Sequence, residues 1–366
     1  MMRSLSALLL SSCLLLSGCD GFFVKDSSSG GGGTTATNYA FVTNAGANTI
    51  SGFGISKTGA LTALSGSPIS LGVVPTSLTV SRDNKYLWVG TQSQIFGYSI
   101  AADGTLAALN SGTALANAYC VDMQTTPDGK WLMVLDGSGA AVDLFAIGTG
   151  GTLAPSSGIG FTPNGTVVPK QLRISNSGNL VVAAMGSAGE LVFSFNTTTG
   201  AFVLLTQTEP PSLTSDNGIA LDSSGAYLYA ARSGNNSGLV VFSVASNGML
   251  TPTTSTMYAA GTQPYAVTLD TAGKYVYVAN RGDGTISGWG IGTNAALTSL
   301  NGSPYSSGLA VTSLGADSTG NWLLAASYSG SPDLSLYGFD TTNLGRLYTV
   351  SSVSTGTNPS VLALSH

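Results

Sequence analysis

Histidine, cysteine and charge are scarce in this 366-residue chain. The sequence has one His, three Cys and 8% charged residues, and its 12 Lys and Arg stand against 17 Asp and Glu. So few cations form no basic stripe of the kind that binds phosphates, and we expect no nucleic acid partner. The single His366 and the scattered carboxylates offer no metal-ligand spacing, so we expect no metal and no cofactor.

The cysteines exclude an intrachain disulfide in the mature protein. Cys13 lies in an apolar N-terminal segment, Cys19 follows that segment, and Cys120 stands alone in a strand-like segment. A lone Cys on a strand is usually a small core residue, and no neighbouring His could activate it. Stability therefore has to come from packing.

The first 18 residues have the pattern of a secretory signal peptide. One Arg precedes an apolar run from Leu5 to Leu16, which is too short to span a bilayer, and two small residues follow before Cys19. The ending LSGC resembles a bacterial lipobox, which implies that Cys19 is acylated; an ordinary cleaved signal is the alternative. Residues 19–38 are rich in Gly, Ser and Thr and predict a flexible tether.

These features together predict an exported lipoprotein of the cell envelope. The protein would be held by lipidated Cys19 on the periplasmic side of a bacterial membrane or at the cell surface. We expect the membrane to be its partner through this anchor and the folded part to be a monomer.

Residues 39–366 are built from a repeat. Its clearest copy, Pro264 to Leu297, has three runs of β-branched and aromatic residues and a weaker fourth, separated by Gly-rich turns. The second run recurs seven times, at intervals of 47, 45, 49, 47, 48 and 47 residues. These second runs read YAFVTN, YLWVGT, WLMVLD, LVVAAM, YLYAAR, YVYVAN and WLLAAS.

Seven repeats of four antiparallel strands predict an all-β fold, a seven-bladed β-propeller. The phase of the repeat also predicts how the ring closes. The chain enters on a second strand at Tyr39 and finishes on a first strand at Pro359 to Ser365. The C-terminal strand should therefore be the innermost strand of the blade whose other strands come from the N-terminal side.

The repeat motifs resemble those of a known family. YAFVTN and YVYVAN, the PxxV strand, the DxxGK turn and the aromatic third strand are similar to the YVTN-repeat or lactonase-like seven-bladed propellers. That group includes bacterial 6-phosphogluconolactonase and muconate-lactonising propellers, and the resemblance covers about Tyr39 to Ser365. It implies a ligand site at one mouth of the central channel, formed by the starts of innermost strands and the loops between second and third strands.

Charged residues near this mouth are the candidate catalytic residues. Lactone hydrolysis requires a base to activate water and a cation to stabilise the oxyanion. The enzymatic relatives tend to combine His with Arg and an acidic residue, whereas the only His here is terminal. The substitute set would be Asp216 or Asp136 as the base, with the cations Arg232, Arg281 and Lys170.

Two further charges, Asp122 and Arg173, occupy the same repeat position on adjacent innermost strands. We expect them to line the channel and to form an ion pair, because either charge alone would be costly to desolvate. A role in packing is the simpler interpretation of this pair, and catalysis is the alternative.

Two functions are compatible with the sequence. The missing mouth His, the low charge and the predicted tether favour a non-catalytic binding or scaffold module for a protein, peptide or glycan. The alternative is a lactonase-like hydrolase that opens a sugar lactone or related ester at the channel mouth.

Overall fold

A computed structural model describes residues 38–138 and 141–366 of the chain. In this part the chain forms seven antiparallel sheets, the blades of a closed all-β propeller. The described residues include no helix with the length and apolarity needed to cross a bilayer. The predicted signal peptide at residues 1–18, Cys19 and the tether up to residue 37 lie outside the described residues.

The four main strands of each blade are numbered from the channel outward, and the blades 1 to 7 by their innermost strands. The innermost strands are Ser77–Val80, Cys120–Thr125, Gln171–Ile174, Thr214–Leu221, Pro264–Leu269, Val311–Ala316 and Pro359–Leu364. The second strands are Tyr86–Gly90, Trp131–Asp136, Leu180–Ala184, Tyr227–Gly234, Tyr275–Asn280, Trp322–Ser327 and, in blade 7, Asn38–Asn44. The third strands are Gln94–Ile100, Ala141–Ile147, Glu190–Asn196, Gly238–Val244, Thr285–Ile291, Leu334–Phe339 and Thr49–Ile55. The outer strands are Leu106–Ala108, Leu153–Gly160, Ala201–Thr208, Leu250–Pro252, Leu297–Ser299, Leu347–Val353 and Leu61–Ala63.

Three blades carry a short extra strand that the sequence pattern did not predict. Ile69–Ser70, Ala116–Asn117 and Tyr305–Ser306 each pair with the third strand of their blade. Two residues are too few to show a strand period, which explains why the pattern missed them. Single turns of 3-10 helix at Asn110–Gly112, Thr149–Gly151 and Thr293–Ala295 complete the described elements.

The second strands are apolar along their length because they are covered on both faces. In blade 5, Val276 and Val278 pack in a cluster with Tyr229 of blade 4. The alternate residues Tyr277 and Ala279 pack with Leu323 of blade 6. Seven such apolar clusters fill the seven seams between neighbouring blades, so the core is a ring of seams.

The ring closes as the repeat phase predicts. The C-terminal strand Pro359–Leu364 pairs antiparallel with Asn38–Asn44, with Val42 opposite Leu362 and Ala40 opposite Leu364. The hydroxyl of Ser365 also accepts the Tyr39 N–H at 2.9 Å. Blade 7 is therefore assembled from both ends of the described chain, which confirms the predicted clasp.

The turns between first and second strands lie on the face opposite the predicted mouth, and their acidic residues act locally. Asp270 Oδ1 accepts the N–H groups of Lys274 and Tyr275, both at 2.7 Å. Asp317 Oδ1 likewise accepts those of Asn321 and Trp322, at 3.0 and 2.7 Å. These carboxylates stabilise hairpins and face away from the mouth, as expected of polar turn residues.

Candidate functional site

The starts of the innermost strands surround a cavity of about 360 Å³ at one end of the channel. Every blade contributes to its wall, which is polar and aromatic. The side chains used below are Thr76, Gln92, Tyr119, Asp122, Lys170, Gln171, Asn217, Tyr265, Arg281, Ser313, Tyr328 and Ser360.

Two cations from different blades converge on this cavity. Lys170 precedes the innermost strand of blade 3, where its N–H donates to the Ala184 carbonyl at 2.9 Å. Arg281 follows the second strand of blade 5, and its guanidinium carbon lies 5.0 Å from the centroid of the Tyr265 ring. Within residues 38–138 and 141–366, neither charged group has a salt bridge or a side-chain hydrogen bond.

The proximity of the two cations affects the ionisation of the lysine. Burial lowers the pKa of Lys170 below its ordinary value, and the positive charge of Arg281 lowers it further. A lysine of this kind has a larger neutral fraction near pH 7, and only the neutral amine can accept a proton. The cavity thus places a potential base beside a fixed cation.

The third charge at the cavity is already paired. Asp122 Oδ2 lies 3.1 Å from Arg173 Nη1, so the two form the expected ion pair, and the same oxygen accepts the Leu172 N–H at 2.9 Å. Burial raises the pKa of Asp122, and Arg173 opposes that rise. Asp122 therefore satisfies the exposed edge of the neighbouring innermost strand, a structural role.

Other side chains of the innermost strands serve the same purpose. Gln124 accepts the N–H of Ile174 at 3.2 Å, and Gln171 accepts that of Ile219 at 2.7 Å. These bonds join each innermost strand to the next, which satisfies backbone groups that no ladder pairs.

Asp216 and Arg232, two of the predicted catalytic residues, do not line the cavity. Arg232 Nε and Nη2 donate to the two oxygens of Asp216, both at 2.6 Å. Asp216 is fully buried and Arg232 is 6% exposed. The two residues are turned into the seam between blades 3 and 4, where a substrate in the channel cannot reach them.

The last residue of the six-letter second run explains the placement of Arg232 and Asp136. In blades 7 and 5 this position holds Asn44 and Asn280, which are fully buried. Asn280 Nδ2 donates to the hydroxyls of Thr285 and Ser287 at 2.9 Å, and Asn44 makes the matching bonds in blade 7. The position therefore supports the turn to the third strand.

Asp136 occupies this turn-supporting position in blade 2. Its Oδ1 accepts the Ser138 N–H at 2.8 Å, and its side chain is not part of the cavity wall. Of the five residues predicted as catalytic candidates, the fold brings only Lys170 and Arg281 together.

Sequence reasoning missed Asn217, which also lines the cavity. Its side-chain amide donates to Ser233 Oγ and to the Pro264 carbonyl, both at 2.9 Å, which fixes its orientation. A register shift between Asp216 and Gly218 turns this residue out of the strand alternation. The signal would have been its place at the start of an innermost strand, where Lys170 stands in blade 3.

In the described part of the chain, no group of three or more His, Cys, Asp and Glu residues is arranged to hold a metal ion. His366 lies on the opposite face, where its Nδ1 is 3.3 Å from Arg82 Nη1. The cavity is therefore characterised by amines, amides, hydroxyls and aromatic rings.

Comparison with known proteins assigns the family. Residues 191–304 and 253–366 each match the family model described as lactonase, 7-bladed beta-propeller. A search of curated proteins found no match.

Solved structures extend the similarity to the whole propeller. A putative 6-phosphogluconolactonase from Bacteroides fragilis is 19% identical with a TM-score of 0.73, and the match covers 91% of this chain and 99% of that one. A periplasmic gluconolactonase from Pseudomonas aeruginosa is 17% identical with a TM-score of 0.73, covering 90% and 99%. Hydrazine synthase from Kuenenia stuttgartiensis is 16% identical with a TM-score of 0.60, covering 81% and 91%. At such identities these structures establish the fold, and with the family match they identify the chain as a seven-bladed β-propeller of the lactonase-like family.

Proposed function

We propose that this protein is an extracytoplasmic hydrolase that opens a sugar lactone or a related cyclic ester at the mouth of its channel. The convergence of Lys170 and Arg281, without ion-pair partners among the described residues, is the observation that carries this proposal. The lactonase family match supports the same reaction class. Neither finding supports the non-catalytic binding interpretation.

The chemistry divides between the two cations. The neutral Lys170 amine accepts a proton from water as that water attacks the lactone carbonyl. The Arg281 guanidinium stabilises the oxyanion of the tetrahedral intermediate, where a fixed cation is most effective. The C–O bond of the ring then breaks, the lysine ammonium returns its proton to the leaving oxygen, and a hydroxy acid is released as its carboxylate.

The remaining wall of the cavity suits a sugar ring. Tyr119 and Tyr328 offer aromatic faces, while Gln92 and Asn217 add amide groups for hydroxyls. Thr76 and Ser360 are less available, since Thr76 donates to the Cys120 carbonyl and Ser360 bonds to Thr43. Small-molecule sites commonly combine apolar walls with a few fixed polar groups of this kind.

The compartment is part of the proposal. The N-terminal signal pattern and the lipobox-like ending at Cys19 support export and lipid anchoring. The periplasmic location named for the similar P. aeruginosa gluconolactonase supports the same side of the membrane.

The test is hydrolysis of a panel of aldonolactones by the purified protein, followed as acid release against the spontaneous rate at each pH. We expect Arg281→Ala to lower kcat/KM by about 10²-fold to 10³-fold, the usual effect of losing an oxyanion donor. Lys170→Ala should lower it by about 10²-fold or more, as expected for a general base.

Lys130→Ala and Arg82→Ala are matched controls, because both residues lie at first-to-second-strand turns on the opposite face. Each removes one cation and should leave the rate unchanged. No turnover above the spontaneous rate, or equal losses in the control variants, would refute the proposal.

A further inference from the structure

The seam between blades 3 and 4 contains a third ionisable residue, Glu190, beside the Asp216 and Arg232 pair. Glu190 begins the third strand of blade 3 and is fully buried. Neither of its carboxyl oxygens has a conventional hydrogen-bond donor among the described residues. An ionised carboxylate in that position would lose its hydration without replacement, at a cost of several kcal/mol or about that order.

The surroundings of Glu190 explain how it is accommodated. The charged or titratable groups that face it are Asp216, on the innermost strand of blade 4, and Arg232, on the second strand of the same blade. Both Asp216 oxygens already accept hydrogen bonds from Arg232 at 2.6 Å. One arginine is thus shared by two carboxyl groups, and full ionisation would leave one buried negative charge unbalanced.

We propose that Glu190 is protonated in the folded protein and donates its O–H to the Asp216 carboxylate. The three residues then form a neutral proton-sharing group, with one arginine cation, one carboxylate and one carboxylic acid. We call it the seam lock, since it ties the third strand of blade 3 to the two inner strands of blade 4.

The ionisation behaviour of Glu190 agrees with this arrangement. Burial raises the pKa of its carboxyl well above the ordinary glutamate value, and the adjacent Asp216 charge raises it further, while Arg232 opposes the change. Two carboxyl groups that share one site commonly retain one proton between them for this reason.

The seam lock lies directly behind the wall of the cavity. The Asp216 N–H donates to the Gly186 carbonyl at 3.1 Å, which joins blade 4 to the loop that precedes Glu190. The next residue, Asn217, lines the cavity, and Ser233, adjacent to Arg232, accepts a hydrogen bond from it. The protonated lock therefore positions Asn217 as well as the two blades.

Other blades solve the same structural problem without ionisable groups. The third strands of blades 7 and 5 begin with Thr49 and Thr285, whose hydroxyls accept hydrogen bonds from Asn44 and Asn280. These pairs have no proton to lose in the ordinary pH range. Protonation is therefore a property of the seam between blades 3 and 4.

The chain offers a direct experiment, because Glu190 and Glu209 are its only glutamates. Incorporation of glutamate labelled with ¹³C at the side-chain carboxyl gives two resonances, and exposed Glu209 serves as an internal control. We expect Glu209 to titrate near its ordinary value of about 4.3. The Glu190 resonance should keep the chemical shift of the protonated acid at pH 7, and Glu190→Gln should identify it by its disappearance.

A second measurement tests the consequence for stability. A carboxyl with a raised pKa in the folded state contributes stability that is full below its unfolded pKa and is lost as the pH rises through the folded pKa. Wild-type protein should therefore lose thermal midpoint with rising pH relative to Glu190→Gln, which keeps a neutral donor. The control Glu209→Gln should follow the wild-type profile.

Two results would overturn the seam lock. One is a Glu190 resonance that moves together with that of Glu209 and shows an ionised carboxylate at pH 7. The other is a Glu190→Gln profile that runs parallel to the wild-type profile over pH 5 to 9. The resonance experiment uses the unaltered chain, so it decides the proposal even if the variant does not fold.

Discussion

The Arg281 guanidinium carbon lies 5.0 Å from the centroid of the Tyr265 ring, within the range of a cation–π contact. Tyr265 begins the innermost strand of blade 5 and Arg281 follows the second strand of the same blade. The ring therefore holds one cation of the cavity in place without neutralising it. A carboxylate partner would have fixed the arginine equally well but would have competed with an anionic transition state.

This contact predicts a difference between two substitutions of Tyr265. Tyr265→Phe keeps an aromatic face and should leave kcat/KM within about twofold, while Tyr265→Leu removes the cation–π contact, worth about 0.5–2 kcal/mol. We expect the leucine variant to lose roughly 2-fold to 30-fold in kcat/KM. Steady-state rates with one reactive aldonolactone measure the effect, and equal rates in both variants would contradict it.

The cation pair predicts a shift in the pH dependence of hydrolysis. Only neutral Lys170 is a base, so the rate should rise with pH and level off above the pKa of this lysine, which burial and Arg281 hold below the ordinary lysine value. Replacing Arg281 by Gln removes a neighbouring positive charge and should raise that pKa, moving the rising limb to higher pH. The pH profile of kcat/KM checks the direction of movement.

The control for this shift is Lys130→Ala, which removes a distant cation at an exposed turn. Its rising limb should coincide with that of the wild type. A limb that stays in place in Arg281→Gln would show that Lys170 is not the titrating group.

The clasp predicts that removal of residues 359–366 disrupts the ring. Leu362 and Leu364 pack in the seam between blades 6 and 7, and Val361 packs in the seam between blades 7 and 1. Large buried aliphatic side chains contribute about 2–5 kcal/mol each, and the deletion also exposes the edge of strand Asn38–Asn44.

We expect the truncated protein to unfold at a lower temperature and to associate, as measured by circular dichroism and size-exclusion chromatography. Leu213→Ser is a suitable control, because Leu213 is 78% exposed and its change should leave the transition in place. An unchanged thermal midpoint in the truncated protein would contradict the closure by this strand.

Cys120 predicts an inert thiol. Burial raises its pKa to about 12, so almost no thiolate is present at pH 8 in the folded state. In a variant with Cys13 and Cys19 replaced by Ser, iodoacetamide should label Cys120 only when guanidinium unfolds the chain. Mass spectrometry of native and unfolded samples measures the labelling, and equal rates in the two would contradict the prediction.

The repeat was readable from sequence because each strand carries its own signal. YVYVAN and YAFVTN alternate large side chains that face two seams, and both segments are second strands in the structure. The ring closure was also readable, since the phase at Tyr39 and at Pro359 left one blade incomplete at each end.

The candidate site was only partly readable. Asp136 and Arg232 stand at a repeat position that supports a turn, and the asparagines at the same position in YAFVTN and YVYVAN pointed to that role. A repeat alignment shows which end of a blade a residue occupies but not whether its side chain turns to the channel or to a seam.

By itself, the sequence determined the number of blades, the strand order within each and the strand that closes the ring, because these depend on local period and phase. Only the tertiary structure decided which charges meet. Lys170 and Arg281 are separated by a whole blade and converge only when the ring curves around its channel. Glu190 and Asp216 become neighbours only when two blades pack, since burial and mutual charge arise from the seam and from no single strand.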